Sequence, residues 1–342
     1  MRVAVDAMGG DNGPQLVVPA ALSVLKDAEC PDLTLTLVGF QHVLEPLVAS
    51  LPADRRSRVT IIDAPEEITM DDAPAMAVRR KPKSSIAIAL KLLKSQDADA
   101  VLSLGNSGAV MAGALAIIGR VPGVERPALV TVLPTLRGRS MLLDLGAITD
   151  PKAQYLVQFA IMATAYARYA MGIENPRVAL LSNGEEPSKG NLLVQEVFPL
   201  LEKTRQVNFV GNAEGKELLR GDVEIFVTDG FTGNVALKSM EGAIGVLTEI
   251  LRDEMTSSLH RKVMAAMMRP ALRQVRNRLD YEEIGGAPLL GVNGAVIVGH
   301  GRSKERAVAN AVRVAYRTAS QNIPNHIAEL IRASKQSPEE VA

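Results

Sequence analysis

The sequence predicts an α/β fold built on a largely parallel, doubly wound β-sheet, with a helical arm projecting from it. Three observations carry this expectation. Short β-branched runs alternate with amphipathic helical patterns along most of the chain. Four of the strands end in a glycine-bearing turn that leads straight into a helix, within residues 2–26, 100–118, 178–201 and 225–251. Residues 235–280 then interrupt the alternation with helical periodicity and no strand pattern.

Taken in order, residues 2–6 read as a strand, 8–14 (MGGDNGP) as a turn and 15–26 as a helix blemished by Pro19. Residues 33–38 (LTLTLV) alternate and close the first β–α–β unit. A short strand over 59–62 precedes an acidic loop, 65–73 (PEEITMDDA). Arg79-Arg80-Lys81-Pro82-Lys83 comes just before Ser84 and Ser85, which can cap a helix over 86–94. That basic cluster is either a solvated charge run or an anion site at a helix start. Strand 100–104 feeds the turn Gly105-Asn106-Ser107-Gly108 and a small-residue helix over 109–118. Strands 128–133 and 141–143 flank an Arg137-Gly138-Arg139 turn, and Asp150-Pro151 opens a long helix to Met171.

Strand 178–181, the polar turn 182–191 and helix 192–201 follow. Strands 207–210, 223–227 and 295–298 complete the set. After 225–227, residues 228–234 (TDGFTGN) read as a turn, with a helix from Val235. The whole is expected to be one α/β domain over 1–342, as one body or two lobes. The arm spans 236–282 with a break at Pro270, and 334–342 forms a frayed polar tail.

Composition narrows the function. Lysines plus arginines equal acids, 38 against 38, so net charge points to no nucleic-acid partner. One cysteine excludes an intramolecular disulfide framework and fits a reducing cytoplasm. The N-terminal residues lack a signal-peptide pattern, and no run approaches 18 uninterrupted apolar residues. There is no GxSxG, HExxH, CxxC or GxGxxG pattern, and only four histidines. Covalent serine or cysteine chemistry and dinucleotide binding are therefore not indicated.

What remains is a set of anion-binding turns, because a strand feeding a glycine-rich turn and a helix start exposes backbone N–H groups. Taken alone, each is equally an ordinary βα connection. Lys189, Asn234 and His300 supply polar handles in these turns. Such a site can aim phosphate at an electrophile and stabilise an oxyanion without a covalent intermediate. Asp6, Asp11, Asp144 and Asp150 lie in or near the turns, but no ligand spacing demands a metal, and no cofactor is expected.

Six turn motifs make the chain recognisable: DAMGGDNGP (6–14), LGNSGA (104–109), DLGAITDP (144–151), NGEEPSKGN (183–191), VTDGFTGNVALK (227–238) and GGAPLLGVNGAVIVGHG (285–301). Together they closely resemble the phosphate acyltransferases of bacterial phospholipid synthesis. Those enzymes move a fatty acyl group from acyl carrier protein to inorganic phosphate. The resemblance runs from Val3 to about Ser320, with the motifs in order. One small departure is SLGNSGA, where the family more often has alanine before the glycine and threonine after the asparagine. The resemblance implies a three-layer α/β/α fold akin to isopropylmalate dehydrogenases and phosphotransacetylases. It also implies a homodimer, acyl carrier protein and phosphate as partners, and peripheral membrane contact.

For that reaction we assign phosphate to Lys189 and the amides near Gly233 and Asn234, with Asn106, Ser107 and Asn234 as oxyanion donors. His300 is the expected proton donor and Asp229 its orienting group. Gly9, Gly10, Gly108, Gly146, Gly190, Asn191, Gly230 and Thr232 line the expected substrate turns. The helix over 109–118, with Gly108 and Gly113, is expected to border a slot for the acyl chain. In the arm, Arg261, Lys262, Met267, Met268, Arg269, Arg273 and Arg276 form a basic, methionine-rich stretch. It is either a dimer or packing element, or a contact for carrier protein or membrane.

Overall fold

The computed structural model describes the backbone of residues 1–279 and 285–335 and, apart from residues 276–279, their side chains. The chain opens with β1 (Arg2–Asp6), α1 (Gly13–Ser23), β2 (Thr34–Gly39), α2 (Gln41–Ala49), α3 (Ala53–Arg56), β3 (Val59–Asp63), α4 (Pro74–Arg80), α5 (Ser85–Lys94), β4 (Ala100–Ser103) and α6 (Ser107–Gly113). A π-type stretch, Ala114–Ile118, extends α6. The hairpin of β5 (Ala128–Thr135) and β6 (Gly138–Leu143) leads to α7 (Ala153–Met171), β7 (Arg177–Ser182), α8 (Leu192–Glu202), β8 (Asn208–Glu214) and β9 (Ile225–Val227). The arm, α9 (Gly230–Thr256) and α10 (Leu259–Leu279), precedes β10 (Ala287–Leu290), β11 (Ala295–Val298), α11 (Glu305–Ser320) and α12 (Ile323–Lys335).

All eleven strands join one sheet in the order β3-β2-β1-β4-β11-β10-β5-β6-β9-β7-β8. The first five are mutually parallel, and so are the last four. Between them, β10 is antiparallel to both β11 and β5, and β5 is antiparallel to β6. Three successive reversals leave the two parallel blocks pointing in opposite directions. The sequence reading lacks β10 because Pro288 argues against a strand there. In the fold β10 is only four residues long, and Pro288 lies opposite Ile297.

Helices cover both faces of each block, so the strands are buried on both sides and read as apolar runs. Val3 and Val5 face one way, with Leu35, Leu102, Val308 and Val312, under α1 and α11. Ala4 faces the other, with Val101, Ile86, Leu90 and Val110 of α5 and α6. In the second block, α7, α8 and α12 close over Leu143, Val178, Leu180 and Ile225. The base of α9 lays Ala236, Leu237 and Met240 over Leu142, Ala179 and Phe226. This is the expected α/β/α layering.

Several boundaries differ from the sequence expectation. α9 starts at Gly230, not Val235, because the Asp229 carboxylate accepts the Thr232 amide at 2.8 Å and caps the helix there. α6 starts at Ser107 under an Asn106 cap. Pro270 lies inside α10, and the arm breaks instead at residues 257–258, between α9 and α10. One proline removes a single amide donor, which this exposed helix tolerates. Helices α2, α3, α4, α11 and α12 are additional to those read from the sequence. The end of the expected arm (280–282) and most of the expected tail (336–342) lie outside the described residues.

The N-terminal strand is tied to the C-terminal helices at the surface. The Met1 ammonium approaches Asp32 at 3.0 Å, and the Tyr316 hydroxyl of α11 donates to the other Asp32 oxygen. That hydrogen bond to Asp32 is the main reason the Tyr316 phenol is pushed up to about 12. A raised folded-state value means the stabilisation is complete below the unfolded phenol value of about 10, and is lost as pH rises through the folded one. The difference in urea midpoint between wild type and Tyr316→Phe should therefore be constant from about pH 6 to 9 and shrink above about pH 10. A difference that grows with alkalinity would contradict this tie.

Candidate active site

Strand direction decides which loops can meet. Loops leave the C-terminal ends of β1, β4 and β11 at one edge of the sheet, and those of β6, β7 and β9 at the opposite edge. β11 and β9 are also four strand positions apart, roughly 19 Å across the sheet. The turns expected to converge thus form two clusters within one chain. Gly9, Gly10, Asn106, Ser107, Gly108 and His300 belong to the first edge. Gly146, Lys189, Gly190, Asn191, Asp229, Gly230, Thr232, Gly233 and Asn234 belong to the second.

At the first edge the groups are largely spent on structure. The buried Asp6 carboxylate accepts the Ser103 hydroxyl at 2.6 Å and the Met8 amide at 3.3 Å; burial pushes its carboxyl above the usual range. A side chain on Gly9 would come within 2.6 Å of the Gly105 nitrogen. Gly10, at φ +90°, brings its loop to Gly301, whose carbonyl accepts the Asp11 amide at 2.8 Å. Asn106 caps Ala109 and donates to the Thr69, Met70 and Asp72 carbonyls, so its amide is not free to hold an oxyanion. Ser107 has no side-chain partner among the described residues. His300 is exposed, and its Nδ1 accepts the Arg302 amide at 3.2 Å. Asp229 is on the other edge and cannot orient it.

On the glycine face of α6, the room expected for an acyl chain is filled. A side chain on Gly113 would meet Leu90 at 2.6 Å, and one on Gly108 would meet Pro74 at 2.7 Å. The small residues of this helix let α4 and α5 pack closely. They leave no channel on that face.

At the second edge, Asp144 organises the loop after β6. Its Oδ1 accepts the amides of Leu129, Leu145 and Ala147, and its Oδ2 that of Ile148. Burial pushes this carboxyl up, against the pull of those four donors. The loop clamps the start of α9, where the Gly230 amide donates to the Ile148 carbonyl at 2.8 Å. A side chain on Gly233 would fall 1.9 Å from the Asp144 carbonyl oxygen, so only glycine fits. The Gly233 amide already donates to the Asp229 carbonyl, and the Thr232 amide and hydroxyl both donate to the Asp229 carboxylate. These expected phosphate donors are therefore occupied. The exposed Asn234 side chain has no partner among the described residues, and its Nδ2 faces Gly146, itself at φ +112°.

β7 lies beside β9, so the Lys189 loop is the next one along this edge. Asn183 accepts the Gly190 amide at 2.9 Å, and Asn191 caps α8 through the Val194 amide at 2.9 Å. Glu185 lies 3.6 Å from Lys216, which also pairs with Glu214. Lys189 makes no ion pair among the described residues, although its turn is acidic. Below the loop, the Ser182 hydroxyl and the Asn212 side-chain oxygen are buried without partners, and Asn212 spends its Nδ2 on the Glu186 carbonyl. Such orphaned groups are rare in a closed interior. Neither is singled out by the sequence: Ser182 is only the first residue of the polar turn 182–191, and Asn212 lies beyond the strand expected over 207–210. The edge thus presents an ammonium and an amide with open valences, above a buried hydroxyl without a partner; the first two suit a phosphate or oxyanion. Asp6 and Asp144 are consumed by internal hydrogen bonds, and the described residues hold no cluster with metal-ligand geometry.

The other basic regions are surface features. Lys81 pairs with Asp72 at 2.6 Å and Ser84 caps α5, while Arg79 and Arg80 end α4 in solvent. In the arm, Arg261 pairs with Glu254, and Lys262, Arg269 and Arg273 are exposed. Met267 is 74% exposed and Met268 50%, so the apolar side of α10 is not buried on the core. The Arg276 side chain lies outside the described residues. No described helix is long and apolar enough to cross a membrane.

A family model described as "Fatty acid synthesis protein" matches residues 1–326. The chain is 45% identical to a phosphate acyltransferase of Heliobacterium modesticaldum over 331 residues, covering 97% of this chain and 98% of that protein. It is 43% identical to one of Dictyoglomus thermophilum, covering 96% and 97%. Among solved structures, a phosphotransacetylase from Streptococcus pyogenes superposes with a TM-score of 0.63 at 18% identity, over 94% of each chain. The EutD phosphotransacetylase from Staphylococcus aureus gives 0.60 at 18%, over 93% of this chain and 94% of that one. At these identities the structural likeness speaks for the fold. Full-length relatedness speaks for the family: the chain belongs to the phosphate acyltransferases of the fatty acid synthesis protein family and is an acyltransferase.

Proposed function

We propose that this enzyme transfers a long-chain fatty acyl group from acyl carrier protein to inorganic phosphate, releasing acyl phosphate for phospholipid synthesis. The observation that carries this reading is Lys189, an ammonium without an ion pair among the described residues in an acidic turn of a phosphate acyltransferase. Lys189 holds hydrogen phosphate, and Asn234 donates to the carbonyl oxygen as it gains charge. A phosphate oxygen forms the new C–O bond, the C–S bond breaks, and the departing sulfur takes the proton that hydrogen phosphate carried. That balance needs no separate acid. Asp144 and Gly233 keep Asn234 in place, as positioning residues.

Two further parts of the reading concern surfaces. The exposed Val246, Leu247, Ile250 and Leu251 of α9 offer an apolar row suited to a second copy of the chain. The α10 segment with Met267, Met268 and its basic residues suits reversible contact with anionic lipid, each cation adding about 1 kcal/mol at such a surface.

The reaction itself is tested by mass spectrometry of products from acyl carrier protein thioester and labelled phosphate. Labelled acyl phosphate is expected, faster than from acyl-CoA; a folded sample that makes none would reject the reading. Lys189→Ala should raise the phosphate KM or lower turnover at least ~10-fold, the worth of one charge-assisted hydrogen bond. His300→Ala, altered on the opposite edge, should change turnover by less than about threefold, whereas loss of a general acid costs roughly 10²–10⁴. A loss of that size would restore the proton-transfer role to His300. Met267→Glu with Met268→Glu should abolish co-sedimentation with anionic vesicles and leave acyl transfer in solution intact. Joint loss of activity and self-association would instead make α10 a packing element.

A further inference from the structure

An open groove of about 450 Å³ is lined by Leu115 of the π-type stretch, Arg120, Glu125 and Arg126 of the loop before β5, and Tyr155 of α7. It belongs to the second edge of the sheet. Arg126 precedes β5 by two residues, and the Leu129 amide of β5 donates to Asp144 at 3.2 Å. Tyr155 is in the first turn of α7, directly after the loop that Asp144 shapes. The groove therefore shares a sheet edge with Lys189 and Asn234, at roughly 14 Å of lateral offset between β5 and β7.

Its walls are preset. The 98%-buried Gln158 accepts the Glu125 amide at 2.8 Å and donates to the Gly123 carbonyl at 3.2 Å, fixing the loop before β5. Arg120 spends one N–H on the Glu125 carbonyl at 2.7 Å. Arg126 lies over the Tyr155 ring, 6.0 Å from its centroid. Neither guanidinium has a carboxylate within ion-pairing distance among the described residues, and the only acid in the lining is Glu125. Two anchored guanidinium groups with open donors match a phosphate better than any neutral ligand. The groove is also far larger than a phosphate ion, and Leu115 and the Tyr155 ring give it apolar wall for a chain attached to that phosphate.

We infer that Arg120, Arg126 and Tyr155 bind the phosphate at the root of the donor's pantetheine arm, so that the arm runs along the sheet edge to deliver its thioester to Asn234 and Lys189. This rests on the thioester donor of the proposed function. The chemistry recognised is a phosphate ester, which both a carrier-protein arm and coenzyme A possess. The π-type stretch supports it locally, since Leu115 within it lines the groove and such turns recur at functional sites.

The test compares wild type with Arg120→Gln/Arg126→Gln, first matched by melting temperature, on three donors: acyl carrier protein thioester, acyl-CoA, and acyl-pantetheine without phosphate. For the two phosphate-bearing donors the variant should raise donor KM about tenfold or more, as expected for losing charge-assisted hydrogen bonds, with kcat and phosphate KM within about twofold. Acyl-pantetheine should be used equally by both proteins. An effect confined to the carrier-protein donor would overturn the inference and make these arginines a contact for the carrier's surface. An unchanged donor KM, an equal loss with acyl-pantetheine, or a rise in phosphate KM would overturn it too. Titration of both proteins with free 4′-phosphopantetheine and pantetheine separates this claim from the function: tighter wild-type binding of the phosphorylated compound, lost in the variant, is expected even if no acyl phosphate forms. Equal binding of the two compounds would refute it.

Discussion

One buried carboxylate organises the second sheet edge. Asp144 ends β6, and its two oxygens gather amides from β5 and from its own loop. Taking a carboxylate out of water is unfavourable, and the four N–H groups are what offset it. Its backbone carbonyl is then the surface against which Gly233 packs, and its carboxylate, with the Ile148 carbonyl and Gly146, leaves no room at Gly230 for anything larger than hydrogen. Strand β5, the loop to α7 and the first turn of α9 are thereby referred to a single residue. Asn234, one residue after Gly233, takes its placement from that arrangement.

The two sheet edges use similar turns for different ends. At the first, Asp6, Ser103 and Asn106 satisfy one another and their neighbouring amides, and the small residues of α6 close the interhelical gap. At the second, comparable turns leave Lys189, Asn234 and Ser182 with unfilled valences. A glycine-rich strand-to-helix turn is thus a backbone solution first. Whether it binds anything depends on which side chains are already occupied.

This explains what was legible in the sequence. Alternation of apolar strands with helical periods disclosed the layers, and the strand-free stretch after β9 disclosed the arm, because both are local patterns. β10 was not legible, since four residues with a proline lack a strand signature, yet the reversals around it decide which turns can meet. Lys189 and Asn234 were visible as polar residues in turns, and the pairing of Glu185 with Lys216 supplies what the sequence lacked. His300 and Asp229 were linked on chemistry alone, and strand direction separates them. Asn106 looked like a free donor because its three carbonyl partners come from a loop over thirty residues away.

α9 runs unbroken from Gly230 to Thr256, roughly 40 Å at the usual rise per residue. One end is the turn that holds Asn234, and the other is the root of α10. Its first turns are seated on the sheet, with Gly233 against the Asp144 carbonyl and Ala236, Leu237 and Met240 over β6, β7 and β9, while Val246, Leu247, Ile250 and Leu251 stand in solvent. The helix is therefore held like a cantilever, fixed at the end that carries Asn234.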